Sequence, residues 1–311
     1  MSLNPFIIDC DTGRDDALAI WSALALKMPL AGIVASYGNT TVEHVADNTA
    51  RVLALAGRDD LPLFAAASGP SRDHAGFQNI VVPRQGKAGN GLCNIELPQA
   101  GRNTPIAGDV EALVQWIVGL AAEKGPLDYI ILGPATNFAA VCTVLGADIH
   151  RYISRVTMMG GKLGALWDEV PGGGDFNLIC DPYAVRQVFQ AGFAIRFIPM
   201  NVTWPIVLPL AGVEVLNTHS VIGERAKEIM VAHCRYFAPE PVFRFHDPCV
   251  MSACLAPQHF KSARIDIVCD DTSPDHGRLI EGNFAAEVYE GNSALGQEFM
   301  DQILQAVGLS R

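Results

Sequence analysis

Four carboxylates crowd into the segment Asp9-Cys10-Asp11-Thr12-Gly13-Arg14-Asp15-Asp16. Such a group repels itself unless a cation or shared protons relieve it, so the first chemistry it suggests is binding of a hard divalent metal through oxygen. The residues before it, Phe6-Ile7-Ile8, form an apolar run fit for a buried strand, and those after it, from Ala17 to Ile20, begin a helical pattern. The cluster therefore sits where a strand ends and a helix starts. The strand period of two puts Asp9 and Asp11 on one side, while Asp15 and Asp16 fall where helix N-terminal amides point outward. Singly, Asp15 and Asp16 read as helix caps and Asp9 as a strand-end residue. Together the four favour a metal.

Two metal-site classes can be weighed directly. An EF-hand loop counted from Asp9 needs Gly at its sixth position and Glu at its twelfth, where the chain has Arg14 and Ile20. That class fails. A haloacid-dehalogenase-type phosphatase also begins with an apolar strand and a DxDx segment, with Asp9 as nucleophile and a magnesium site that Asp270, Asp271 and Asp275 could imitate. Gly13 stands where that pattern has Thr or Val, and this reading is kept as an alternative.

The elements that must position these residues follow from the hydrophobic pattern. Short apolar runs at Phe6 to Ile8, Gly32 to Ala35, Tyr129 to Leu132, Val156 to Met159 and Ile195 to Ile198 read as buried strands. Helical patterns at Asp15 to Lys27, Val42 to Leu55, Asp109 to Glu123, Asn137 to Leu145 and Pro182 to Gln190 lie between them. The alternation predicts an α/β fold, an open and mostly parallel sheet flanked by helices on both faces, with its site at the carboxyl ends of the strands. Residues 1–311 are expected to form one domain. The segments Ala66 to Ala107 and Lys162 to Gly174 break the rhythm and read as loops covering the site. The part from Ile265 to Tyr289 reads as shorter strands, followed by a last helix near Ser293 to Val307.

Composition narrows the partners. A net charge of -11, with no basic run, disfavours nucleic acid, whose binding depends on Lys and Arg neutralising phosphates. No apolar run approaches a membrane span. MSLNPFIIDCD has no basic segment followed by a long apolar stretch, so no signal peptide is expected and the protein is expected to be cytoplasmic. Eight scattered cysteines without a CxxC pair read as reduced, mostly buried thiols.

The chain as a whole resembles the inosine-uridine-preferring nucleoside hydrolase family, whose opening signature is close to DxDxGxDDAxAI. Asp9-Cys-Asp-Thr-Gly-Arg-Asp-Asp-Ala-Leu-Ala-Ile20 matches every fixed position. The resemblance continues in order through Ala35-Ser-Tyr-Gly-Asn39, Leu132-Gly-Pro-Ala-Thr-Asn137, Met159-Gly-Gly161, Asp175-Phe-Asn177, Asp181-Pro182 and Phe245-His-Asp-Pro-Cys249. It implies a Rossmann-like nucleoside hydrolase fold and hydrolysis of the N-glycosidic bond of a ribonucleoside, or a modified nucleoside, to free base and ribose. It also implies one Ca2+ held by Asp11, Asp16, the Leu132 carbonyl and Asp247. Asp11 would activate a calcium-bound water, Asp15 and Asn39 would hold the 2′ and 3′ hydroxyls, Asp175 and Asn177 would face the 5′ hydroxyl, and His246 would assist the leaving base. A small-molecule nucleoside partner and a homodimer or homotetramer are further implications. A non-catalytic ribosyl-binding relative is the remaining alternative, although Asp11, Asp16 and Asp247 are all retained.

Departures from the family pattern fall at one end of the expected substrate. Asp175 stands where Glu is usual, Gln85-Gly86 where many relatives have His-Gly facing the base, and Asn201 where Asp is common. The pattern predicts a familiar metal and diol end joined to an altered 5′ and base end. Trp167, Trp204, Phe243 and Phe245 lie near the expected site, with Trp167 and Phe243 preferred for stacking on a base because their flanks look loop-like. Asp109, Glu111 and the charged positions from Glu224 to Glu228 read as solvated helix faces.

Overall fold

The computed structural model describes residues 3–82, 85, 89–99, 101, 104–163, 175–193, 195–236, 240–269, 278–282, 284–290 and 293–311. Strands in chain order are β1 (Phe6–Cys10), β2 (Leu30–Ala35), β3 (Leu63–Ala65), β4 (Ile106–Ala107), β5 (Leu127–Ile131), β6 (Ile153–Met159), β7 (Ile195–Ile198), β8 (Val207–Pro209), β9 (Asn217–Thr218), β10 (Val242–Arg244), β11 (Lys261–Cys269), β12 (Leu279–Glu281), β13 (Phe284–Glu290) and β14 (Leu309–Ser310). The helices are α1 (Arg14–Ala25), α2 (Val42–Leu55), α3 (Val110–Lys124), α4 (Thr136–Leu145), α5 (Phe176–Cys180), α6 (Pro182–Gln190), α7 (Met200–Thr203), α8 (Leu210–Glu214), α9 (Val221–Tyr236), α10 (His246–Leu255) and α11 (Ser293–Ala306).

Every residue of β1 is buried, and β1 pairs in parallel with β2 on one side and β5 on the other. A strand covered on both faces needs apolar residues at consecutive positions, which is why the FIIDC run has no polar alternation. The ten-stranded sheet runs β12-β11-β13-β7-β6-β5-β1-β2-β3-β4. It is parallel from β13 to β4, and β11 joins β12 and β13 antiparallel at one edge. The mostly parallel sheet predicted by the strand and helix rhythm is thus the one found.

Helices cover both faces. Phe6, Ile8 and Cys10 pack with Trp21 of α1, Val250 of α10 and Ile303 of α11, while Ile7 packs on the other face with Ile117 of α3, Phe138 of α4 and Val185 of α6. The chain moves outward from β1 through β2, β3 and β4, then returns to the opposite side of β1 with β5. The β1–β5 boundary is therefore the switch point where an open α/β sheet leaves a crevice.

Asp9 closes this boundary from inside. Its Oδ1 accepts from Asn137 Nδ2 at 3.0 Å and its Oδ2 from the Tyr129 hydroxyl at 2.9 Å. Burial pushes its carboxyl up to about 7, against the lowering effect of those two hydrogen bonds. The Asn137 Oδ1 in turn accepts the Ala67 N–H at 2.9 Å, so Asp9 ties β1 to β5, α4 and the segment after β3. A phosphatase nucleophile at Asp9 is incompatible with this, because both oxygens serve the core. The acidic group Asp270, Asp271 and Asp275 lies outside the described residues.

Asp9→Ala should strand a tyrosine hydroxyl and a carboxamide in the core, lowering unfolding free energy by about 2 kcal/mol or more in a urea titration. An unchanged midpoint would refute the bracing role.

Candidate active site

Asp11 is the first residue beyond β1. The Asn39 backbone N–H donates to its Oδ2 at 2.6 Å, and the Asn39 side-chain amide reaches both the Asp11 carbonyl and Asp16 Oδ2 at 3.4 Å. Two glycines make room for it. A Cβ on Gly38, whose φ is +156°, would meet Asp11 Oδ2 at 2.1 Å, and one on Gly133 would meet the Asp11 backbone nitrogen at 2.9 Å. The Tyr-Gly-Asn and Leu-Gly-Pro fragments thus carry glycine because the backbones after β2 and β5 close on one carboxylate.

Two helix starts supply the neighbouring carboxylates. Asp15 and Asp16 occupy the first turn of α1, and Asp247 the first turn of α10, positions where the helix dipole favours negative charge. One oxygen from each of Asp15, Asp16 and Asp247 lies within 4.8 Å of the others. Asp16 Oδ2 accepts the Gly13 N–H at 2.9 Å, whereas its buried Oδ1 has no hydrogen-bond partner among the described residues. Burial, then the charges of Asp11 and Asp15, holds the Asp16 carboxyl well above its usual range. Burial, then Asp15, Asp16 and Asp11, does the same to Asp247. A buried carboxylate oxygen without a donor, beside two more carboxylates, fits a hard divalent cation.

Of the expected carboxylate ligands, Asp16 and Asp247 share one tight group, and Asp11 is not part of it. The third member of the tight trio is Asp15, which the family resemblance assigns to the ribose hydroxyls. Asp11 and Leu132 line the same cavity, of about 500 Å3, with Asn39. The Leu132 carbonyl accepts from Asn177 Nδ2 at 2.6 Å.

The other expected residues line this cavity too. His246 opens α10, and its Nδ1 lies 2.7 Å from Thr203 Oγ1, which fixes the ring beside Trp204. Asp175 is the N-cap of α5, where its Oδ1 accepts the Asn177 N–H at 3.0 Å and the Leu178 N–H at 3.4 Å. Burial raises its carboxyl above the usual range, against these backbone donors.

Several expectations need correction. Phe243, preferred for stacking because its flanks look loop-like, does line the cavity, but its flanks are not a loop: it belongs to β10, paired with β8, and is wholly buried edge-on to Phe245. Trp204 lines the cavity as well, and the Arg244 guanidinium lies 3.6 Å from its ring centre. Gln85, which stands where many relatives have His, donates to the Gly38 and Thr40 carbonyls at 3.1 and 3.2 Å. Trp167 lies outside the described residues. Arg14, Lys162 and Arg244 also line the cavity. Arg14 occupies a free position of the opening signature, so only an unusual charge there could have flagged it.

The family model for inosine-uridine preferring nucleoside hydrolases matches residues 6–301. The pyrimidine-specific ribonucleoside hydrolase RihA of Enterobacter sp. (strain 638) is 29% identical over 262 residues, covering 82% of this chain and 80% of the relative. RihA of Klebsiella pneumoniae (strain 342) is 29% identical over 266 residues, covering 82% and 81%. Among solved structures, the purine-preferring ribonucleoside hydrolase from Gardnerella vaginalis aligns with a TM-score of 0.81 at 23% identity, covering 98% of both chains. That last likeness bears on the fold. Among the described residues no helix is long and apolar enough to cross a membrane.

Raised carboxyls at Asp16 and Asp247 mean the folded, metal-free chain holds protons that the unfolded chain releases. In chelator, stability should therefore be greatest below the ordinary carboxylate range and fall as pH rises above it. A divalent cation that binds this cluster, tried first as calcium, should add about 2.7 kcal/mol at a hundredfold over its Kd. Asp16→Asn or Asp247→Asn should blunt that gain in thermal melts; identical melts with calcium and with chelator would remove the metal site.

Proposed function

The chain belongs to the inosine-uridine preferring nucleoside hydrolase family and splits ribonucleosides into free base and ribose; we propose that it does so with one calcium ion and with Asp11 as general base. The observation that carries this reading is the trio Asp15, Asp16 and Asp247, with a buried Asp16 oxygen that has no hydrogen-bond partner among the described residues, at a cavity that Asp11, Asp15 and Asp247 line. The donor set is all oxygen, as a hard cation prefers, with Asp16 and Asp247 as its principal carboxylates and Asp11 and the Leu132 carbonyl in reach of the same cavity. A calcium ion bound there would acidify a water molecule and gather the ribose diol.

The chain's own residues supply the remaining steps. Asp11, oriented by the Asn39 N–H, takes a proton from the attacking water as that water approaches the anomeric carbon. Positive charge developing on the ribose is met by the carboxylate wall, which is already in place and needs no reorganisation. Asp15 and Asn39 face the hydroxyls of the diol. His246, held by the Thr203 hydroxyl, hands a proton to the departing base. Trp204 flanks that base.

The test is release of reducing sugar from a panel of purine and pyrimidine nucleosides, both included because the relatives' names divide between the two classes. Turnover should require calcium, and Asp11→Ala should lower kcat on the order of 10²–10⁴-fold while the fold persists. A fully active Asp11→Ala enzyme would refute the assigned base. No release from any nucleoside would favour a ribosyl-binding role instead.

A further inference from the structure

One wall of the cavity takes no part in this chemistry. Lys162 is only 2% exposed, yet it lines the cavity together with Asp175 and Asn177. Lysines normally thread their ammonium out to bulk water, so a withdrawn one needs a fixed backbone and a charged neighbour. Both are present. The Gly161 carbonyl accepts the Met200 N–H at 2.8 Å. Leu163 exchanges two hydrogen bonds with the Asn201 side chain, donating to Oδ1 and accepting from Nδ2, each at 3.0 Å. Lys162 is thus clamped on both sides against α7, and Asp175 lies within electrostatic reach of its ammonium.

A nucleoside presents three distinct edges: the diol, the base and the 5′ hydroxymethyl group. In the reading proposed above, on which this inference rests, the carboxylate wall takes the diol and the His246–Trp204 wall takes the base. Asp175 and Asn177, which the family resemblance assigns to the 5′ hydroxyl, line the cavity with Lys162. There Asp175 already uses Oδ1 to cap α5, and the Asn177 amide is directed at the Leu132 carbonyl. We infer that Lys162 is the specificity-determining donor to the substrate's 5′ oxygen, with Asp175 as its counter-ion and Asn201 as the positioning residue of its ledge. The substrate feature that Lys162 reads is the 5′ oxygen.

The experiment compares kcat/KM for inosine and uridine with that for their 5′-deoxy counterparts. The wild-type enzyme should prefer the hydroxyl on the order of tenfold, the effect of one hydrogen bond to a charged group. Lys162→Met should bring that ratio toward unity, and Lys162→Arg should keep most of it. Should Lys162→Met fail to fold, Asn201→Ala, which keeps the ammonium but frees its ledge, should still lower the ratio. A wild-type ratio near unity, or a wild-type ratio retained in Lys162→Met, overturns the inference while leaving the hydrolase reading intact. Absence of turnover on all four substrates overturns both.

Discussion

The structure is organised around the cost of holding like charges together away from water. Asp11, Asp16 and Asp247 are all buried, and Asp15 stands among them. At these separations, in a medium far less polarisable than water, mutual repulsion would open the site if nothing restrained it. The restraints are backbone ones: the Gly13 and Asn39 N–H groups, the first turns of α1 and α10, and the glycine-tight approach of the strands β2 and β5. Each is supplied by an element that the sheet core already fixes, so the fold holds the carboxylates in place before any ligand arrives.

The crevice is itself tied shut by two more aspartates that never meet substrate. Asp9 joins Tyr129 and Asn137 beneath the switch point. Asp181 takes the Ser71 N–H at 2.6 Å, the Thr136 hydroxyl at 2.9 Å and the Ala184 N–H at 2.9 Å, so one side chain caps α6 while tying it to the loop after β3 and to the first residue of α4. Asp9 and Asp181 thus spend their oxygens on donors of the scaffold, whereas Asp15, Asp16 and Asp247 are set against one another's charge.

That distinction explains what could be read in the sequence. The strands around β1 and the long helices were legible because buried parallel strands leave continuous apolar runs and helices leave a stripe. The three-residue β3 and the two-residue β4 left too little pattern to see. α10 was hidden because its first turn is the His-Asp-Pro fragment, which reads as a loop. At the site, the carboxylate cluster was visible as a crowd of like charges, and His246 through its place beside Asp247. Which aspartate completes the tight trio depends on how α1 meets α10, a tertiary fact that spacing does not encode. Lys162 gave no signal because a single lysine after two glycines looks like surface, and its burial arises only in the folded chain, where the next residue is held by Asn201. The flanks of Phe243 misled because Val242, Phe243 and Arg244 make a strand of only three residues, too short to leave a pattern.

The carboxylate trio draws on regions far apart in the chain: α1 follows the first strand, whereas α10 comes after most of the sheet has been laid down. During synthesis, a growing chain that has not yet extended to Asp247 has only part of its charge cluster and no His246. Such a chain cannot assemble the cavity, so nucleosides in its surroundings are safe from it until the last-made wall arrives. The long separation that complicates folding also acts as a timer on reactivity.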